Sequence, residues 1–188
     1  MENRRAENEK KASFGEVLQR VLLVAGLLLN AYLLFINYTG RRLPVGVDLV
    51  DGCSMMPTLS DGSKIIVSTL PWSIDAIRTG DIVIADREEY TVIKRVIAMP
   101  GEKVKIVNEG DHADIYVCSS DRDFMPSDRL KEDYILEPMK PVEGKEQEWV
   151  LSEDEYFICG DNRNDSLDSR SYGPIKKDKL IGRVIYCP

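Results

Sequence analysis

Histidine is almost missing from this sequence: His112 is the only one in 188 residues. Its setting, the turn-like "EGDHAD", reads as an exposed turn. A serine or cysteine nucleophile that relied on an imidazole base would therefore have one candidate, badly placed. Cysteine is scarce too, with four residues at 53, 118, 159 and 187. Their wide spacing matches neither a disulfide scaffold nor a CxxC metal site, and all three possible pairings stay open. Internal repeats and low-complexity tracts are lacking. So is any strongly basic face beyond the first 47 residues: that stretch holds seven Lys/Arg against four Glu, and the remainder eighteen against twenty-eight Asp/Glu. An acidic folded part excludes nucleic acid as a partner, because phosphate neutralisation needs clustered cations.

One long hydrophobic run is present. Residues 17–38, "VLQRVLLVAGLLLNAYLLFINY", are uncharged after Arg20 and long enough to cross a bilayer as a helix. A buried core helix is the competing reading, since Asn30 interrupts the run. A cleaved secretory signal fits less well, because "NYTGRR" offers no small-x-small cleavage site. Five Lys/Arg (Arg4, Arg5, Lys10, Lys11 and Arg20) precede the uncharged part of the run and two (Arg41 and Arg42) follow it, which places the N-terminus in the cytoplasm and the acidic portion outside. The expected organisation is a cytoplasmic tail at 1–16, a transmembrane helix at 17–38, a linker at 39–47 and an extracytoplasmic β domain at 48–188.

From residue 47 onward the pattern changes to short apolar runs bounded by turns: "KIIVS", "GDIVIAD", "YTVIKRVIA", "EKVKIV", "DIYVC", "EYFICGD" and "LIGRVIY". Many short strands predict a mainly β domain of antiparallel sheets. Residues 103–154 are more charged and proline-rich and read as an inserted small subdomain, with a helix over 127–134 capped by Ser127.

Three stretches carry candidate chemistry. "DGCSMMPTL" sets Ser54 in a tight apolar loop, and with His112 badly placed its base must be sought among the lysines. A lysine serves only when burial or neighbouring cations keep it neutral at working pH. In "EYTVIKRVIAMPG", strand alternation puts Lys94 with Val92, Val96 and Ala98, and Arg95 with Thr91, Ile93 and Ile97. Both faces are apolar, so one cation is driven toward a core; a lysine snorkelling from an edge strand is the plainer alternative. The third stretch, "CGDNRNDSLDSRSYGPI", has the carboxylates of a calcium loop but not the spacing: Arg163 and Ser166 stand where a ligand and a glycine belong, so no metal is expected. It reads instead as a structural loop pairing Asp168 with Arg170, or as a buttress using Ser166 and Asp161.

Taken together, "SMMPTL" (54–59), "TGDIVIA" (79–85), "KRVIAMPGE" (94–102) and "GDNRNDSLDSRSYG" (160–173) resemble, in order, the boxes of the bacterial type I signal peptidases, with a Gram-positive-like "DGCS". That resemblance implies a membrane-bound serine endopeptidase with a Ser-Lys dyad, needing no cofactor, that removes signal peptides from secretory preproteins after small-x-small sequences. It casts Ser54 as nucleophile, Lys94 as base and Ser166 as the hydroxyl that orients the lysine amine. It makes Asp168 and Arg170 an ion pair, with Asp161 and Arg95 in support, and the Ser54 amide an oxyanion donor. Gly52 stands where some members carry a hydroxyl donor, which leaves the second donor open. Val50, Met55, Leu59 and Ile93 would line shallow apolar pockets, core packing being their other possible role. The partners implied are signal peptides and the lipid bilayer; Trp72 in "TLPWSI" is either an interfacial anchor or buried. The alternative function is a catalytically inactive, membrane-tethered peptide-binding β domain.

Overall fold

The computed structural model describes residues 2–39, 44–142 and 147–187, with side chains described from residue 15 to 35 in the N-terminal helix. Residues 40–43 of the expected linker and residues 143–146 of the expected insertion lie outside this description. Two compact units result, divided between Leu43 and Pro44.

The first unit is the helix α1, Glu2–Thr39, so the apolar run forms part of a longer helix. Within it, Gly15–Phe35 is long and apolar enough to span a membrane. Its leucines and valines are exposed, from Val17 to Phe35.

The second unit is mainly β. A seven-stranded antiparallel sheet runs in the order β1 (Val45–Leu49), β2 (Lys64–Ser68), β10 (Leu180–Tyr186), β3 (Ile82–Asp86), β4 (Thr91–Ala98), β8 (Glu155–Cys159) and β9 (Ile175–Lys176). A three-stranded sheet sets β5 (Glu102–Glu109) between β6 (His112–Ser119) and β7 (Gln147–Val150). The central strands bury nearly every residue, Ile82 to Ala85 in β3 among them, which explains their continuous apolar sequence. The two sheets share a core: Ile97 and Phe157 of the large sheet pack with Val104, Ile106 and Ile115 of the small one.

The insertion differs from expectation. Residues 127–134 are not a helix; a single 3₁₀ turn, Pro126–Asp128, stands there. Asp128 is held by Arg122 at 2.6 and 2.7 Å, the next two residues pair with β6, where Leu130 N–H donates to Ile115 O and Arg129 bridges Tyr116, and the chain turns again at residues 133–134. Backbone pairing to β6 outcompetes local helix propensity. The short helices lie elsewhere, α2 at Pro71–Asp75 and α3 at Ser169–Tyr172. Trp72 in α2 is 68% exposed. His112 is half-buried at the start of β6, 3.0 Å from Asp111 Oδ1, and forms no part of the cleft described next.

Candidate active site

Ser54 sits in the loop between β1 and β2. This loop winds into turns, with Met56 N–H donating to Cys53 O and Leu59 N–H to Met55 O. Gly52, at φ +89°, supplies the left-handed residue that starts the turn, and its N–H donates to Asp61 Oδ1 at 2.9 Å. The Gly52 amide is thus already engaged. Cys53 is exposed and donates its thiol to Asp165 Oδ2 at 3.0 Å, while Asn162 N–H donates to Ser54 O at 3.1 Å. Both contacts tie the serine loop to the segment after β8.

Lys94 reaches the same point from β4. It is 4% exposed, its Nζ lies 2.7 Å from Ser54 Oγ, and it donates to Ile93 O at 2.9 Å. Burial pushes its pKa below the ordinary lysine value, with Arg170 adding to the depression; Asp168, Cys159 and Asp161 oppose it. A neutral amine beside a serine hydroxyl can accept its proton.

The segment after β8 supplies the surroundings. Asp168 is fully buried; it receives Arg170 Nε and Nη2 at 2.8 and 2.7 Å, Gly160 N–H at 2.9 Å and the Ser166 hydroxyl at 2.7 Å. Burial works against its ionisation, but the Arg170 and amide hydrogen bonds prevail and hold its pKa below the usual carboxylate value. Asp161, also fully buried, receives Arg95 Nε at 2.8 Å and Nη2 at 2.5 Å, together with the Thr58 hydroxyl. Arg95 further donates to Gly80 O at 2.7 Å. Lys94 and Arg95, adjacent in β4, are thus parted by strand geometry, one toward the serine and the other into an ion pair.

Two expected placements change. The Ser166 hydroxyl donates to Asp168, while the hydrogen bonds of Lys94 go to Ser54 and Ile93. A carboxylate is a stronger acceptor than a neutral amine, so it takes the hydroxyl proton. Leu59 is 1% exposed and packs with Ile65, Val67 and Ile84 instead of lining the cleft, because the turn that closes on Met55 O rolls it inward. Val50, Met55 and Ile93 do line the cleft, a space of about 270 Å³ with Ser54 and Lys94 in its wall. Leu49, Ile84, Tyr90 and Leu167 line it too and escaped the sequence reading. Also missed were Thr58, which lies inside the serine motif, and Glu132 and Tyr134, for which the insertion offered no motif at all. Among the described residues no group of three or more His, Cys, Asp or Glu could hold a metal ion.

A buried lysine set against a serine in a small apolar cleft belongs to the chemistry of the serine peptidases, and the comparisons with known proteins agree on that class. Residues 20–187 match the family described as signal peptidase, peptidase S26. Signal peptidase I of Bacillus licheniformis is 30% identical over 192 residues, covering 97% of this chain and 91% of that one. Signal peptidase I of Bacillus caldolyticus is 34% identical over 144 residues, covering 72% and 75% respectively. A solved signal peptidase I from Enterococcus faecalis V583 shares 24% identity, covers 57% of this chain and 95% of that one, and has a TM-score of 0.42. The chain belongs to the signal peptidase family, peptidase S26. Membership makes it a hydrolase that removes signal peptides as a serine peptidase.

Proposed function

We propose that Ser54 and Lys94 are the nucleophile and base of a membrane-tethered endopeptidase that cuts secretory preproteins after small-x-small sequences. The observation that carries this reading is the 2.7 Å separation of Lys94 Nζ from Ser54 Oγ, with the lysine buried and its pKa lowered. Ser54 Oγ attacks the scissile carbonyl as its proton passes to Nζ. The lysine then returns that proton to the leaving amine, and water, activated by the same amine, hydrolyses the acyl-enzyme. The Ser54 N–H serves as one oxyanion donor; because the Gly52 N–H is held by Asp61, the second comes from another group or from water.

The cleft supports the specificity. Residues 48–51 and residues 90–94 both line it, so an extended peptide lying along them can add as a strand. Val50, Met55, Ile84 and Ile93 give that space an apolar wall, which suits small apolar side chains before the scissile bond. The 21 residues Gly15–Phe35 would measure about 31 Å as a helix, close to the roughly 30 Å hydrocarbon core. With residues 1–16 cytoplasmic, 17–38 in the bilayer, 39–47 as linker and 48–188, including the 103–154 insertion, as extracytoplasmic domain, enzyme and substrate share one membrane. Such confinement raises effective concentration.

The deciding experiment is cleavage of a signal peptide bearing Ala-x-Ala, in detergent, by the native chain, Ser54→Ala and Lys94→Ala. Both substitutions are expected to abolish cleavage with circular dichroism unchanged. Equal activity in all three would leave a tethered binding domain or a different nucleophile.

A further inference from the structure

The segment after the 3₁₀ turn has no recognisable motif, yet it grips the loop that follows β8. Arg163, whose side chain is 0% exposed, forms an ion pair with Glu132, itself 11% exposed. The same guanidinium donates through Nε to Gly160 O at 3.0 Å, and the Arg163 carbonyl accepts Arg170 Nη1 at 2.7 Å. Further along, Asn164 donates to Pro138 O at 3.1 Å and accepts Lys140 N–H at 2.9 Å.

Tyr134 completes the grip. The Arg95 guanidinium lies 4.2 Å from its ring centroid and that of Arg163 5.8 Å. Its hydroxyl is 3.4 Å from both Arg163 Nη2 and Glu132 Oε1. Burial pushes the phenol pKa up to about 12, so the ring stays neutral. Two like charges therefore share one π surface, and Glu132 neutralises the more deeply buried of them.

What these cations hold bears on the chemistry. Arg163 pins the carbonyl of Gly160, a residue packed against Ser54 O and Ser166; Arg95 follows Lys94 in the chain. Releasing either cation would let the loop or the middle of β4 around Arg95 shift relative to Ser54, and a displacement of about 1 Å can cost about a hundredfold in rate.

We propose that Glu132 and Tyr134 are positioning residues for peptide-bond cleavage. They clamp Arg163 and Arg95 and so keep the Gly160 loop and Lys94 aligned with Ser54. This inference rests on Ser54 and Lys94 being the reactive pair.

The test uses the full chain in detergent and a synthetic peptide carrying Ala-x-Ala before the scissile bond. kcat and KM are measured well below each melting transition for Glu132→Gln, Tyr134→Leu, Tyr134→Phe, Leu136→Ala and Ser54→Ala. Glu132→Gln, which keeps shape but loses charge, and Tyr134→Leu are expected to lower kcat about tenfold or more with KM within about twofold. Tyr134→Phe, retaining the ring, should stay within about threefold of the native kcat. Leu136→Ala, exposed in the same segment, should match the native chain. Should Tyr134→Leu fail to fold, Glu132→Gln decides alone. Full kcat in Glu132→Gln, or a loss that appears only as a raised KM, overturns the clamp. If Ser54→Ala still cleaves, the reactive pair itself falls, and the clamp with it.

Discussion

Gly160 packs so tightly on Ser54 that it cannot carry a side chain. A Cβ there would overlap the Ser54 carbonyl oxygen and the Ser166 hydroxyl, and would lie 2.6 Å from Ser166 Cβ. Backbone on one side and a fixed side chain on the other leave no room to yield. The Ser54 loop is thus held in place by the absence of a side chain at Gly160.

Gly160→Ala should accordingly separate the two loops. The expected cost is about 1–3 kcal/mol in stability, with a larger proportional loss of turnover because Ser54 is displaced. Urea unfolding alongside peptide cleavage measures both; native turnover with a native midpoint would show that the loops can part without consequence.

Activity should rise with pH as Lys94 loses its proton, with a midpoint below the ordinary lysine value. A rate flat from mildly acid to alkaline pH would contradict a lysine base. Stability has its own sign here. The unfolded chain binds the Lys94 proton more tightly than the folded one, so this residue's penalty is full below the folded pKa. It fades as pH rises toward the unfolded value near 10.5. Lys94→Met should therefore abolish turnover yet raise the neutral-pH melting temperature, by about 2–4 °C for each kcal/mol recovered. A lower melting temperature would mean that the lysine stabilises the fold.

Asp168 titrates in the opposite sense. Its folded pKa is depressed, so its contribution is present above the unfolded value near 3.8 and is lost as pH falls through the folded one. Asp168→Asn strands Arg170 and should cost about 3–5 kcal/mol at neutral pH, while flattening the acid limb of the stability profile below about pH 4. Native stability in this variant would show that Arg170 finds another partner.

Leu59 and Ile93 should part company in substitution. Leu59→Ala, in the core, should cost about 2–5 kcal/mol without changing which residues are accepted before the scissile bond. Ile93→Ala, in the cleft wall, should change stability less and admit larger side chains there. A peptide panel with Ala, Val or Leu at that position distinguishes them; a shifted preference in Leu59→Ala would return that residue to the pocket.

Much of this protein is determined by sequence alone. Short apolar runs between turns specify strands, and an uncharged run of bilayer length specifies the exposed helix. Four motifs in order mark the family and single out Ser54, Lys94, Asp161, Asp168 and Arg170. The strands and the helix are local properties, carried by side-chain period and turn chemistry within a few residues, whereas the residues in the motifs are singled out by the resemblance to the family. Only the tertiary structure decided that the Ser166 hydroxyl goes to Asp168, that Leu59 turns into the core, and that residues 129 and 130 pair with β6 instead of coiling. It also decided that Glu132 and Tyr134 meet Arg163 and Arg95. The reason is physical: a hydroxyl chooses among acceptors, and a buried cation among partners, by which groups the folded chain brings within about 3 Å, and these partners come from separate stretches of the sequence.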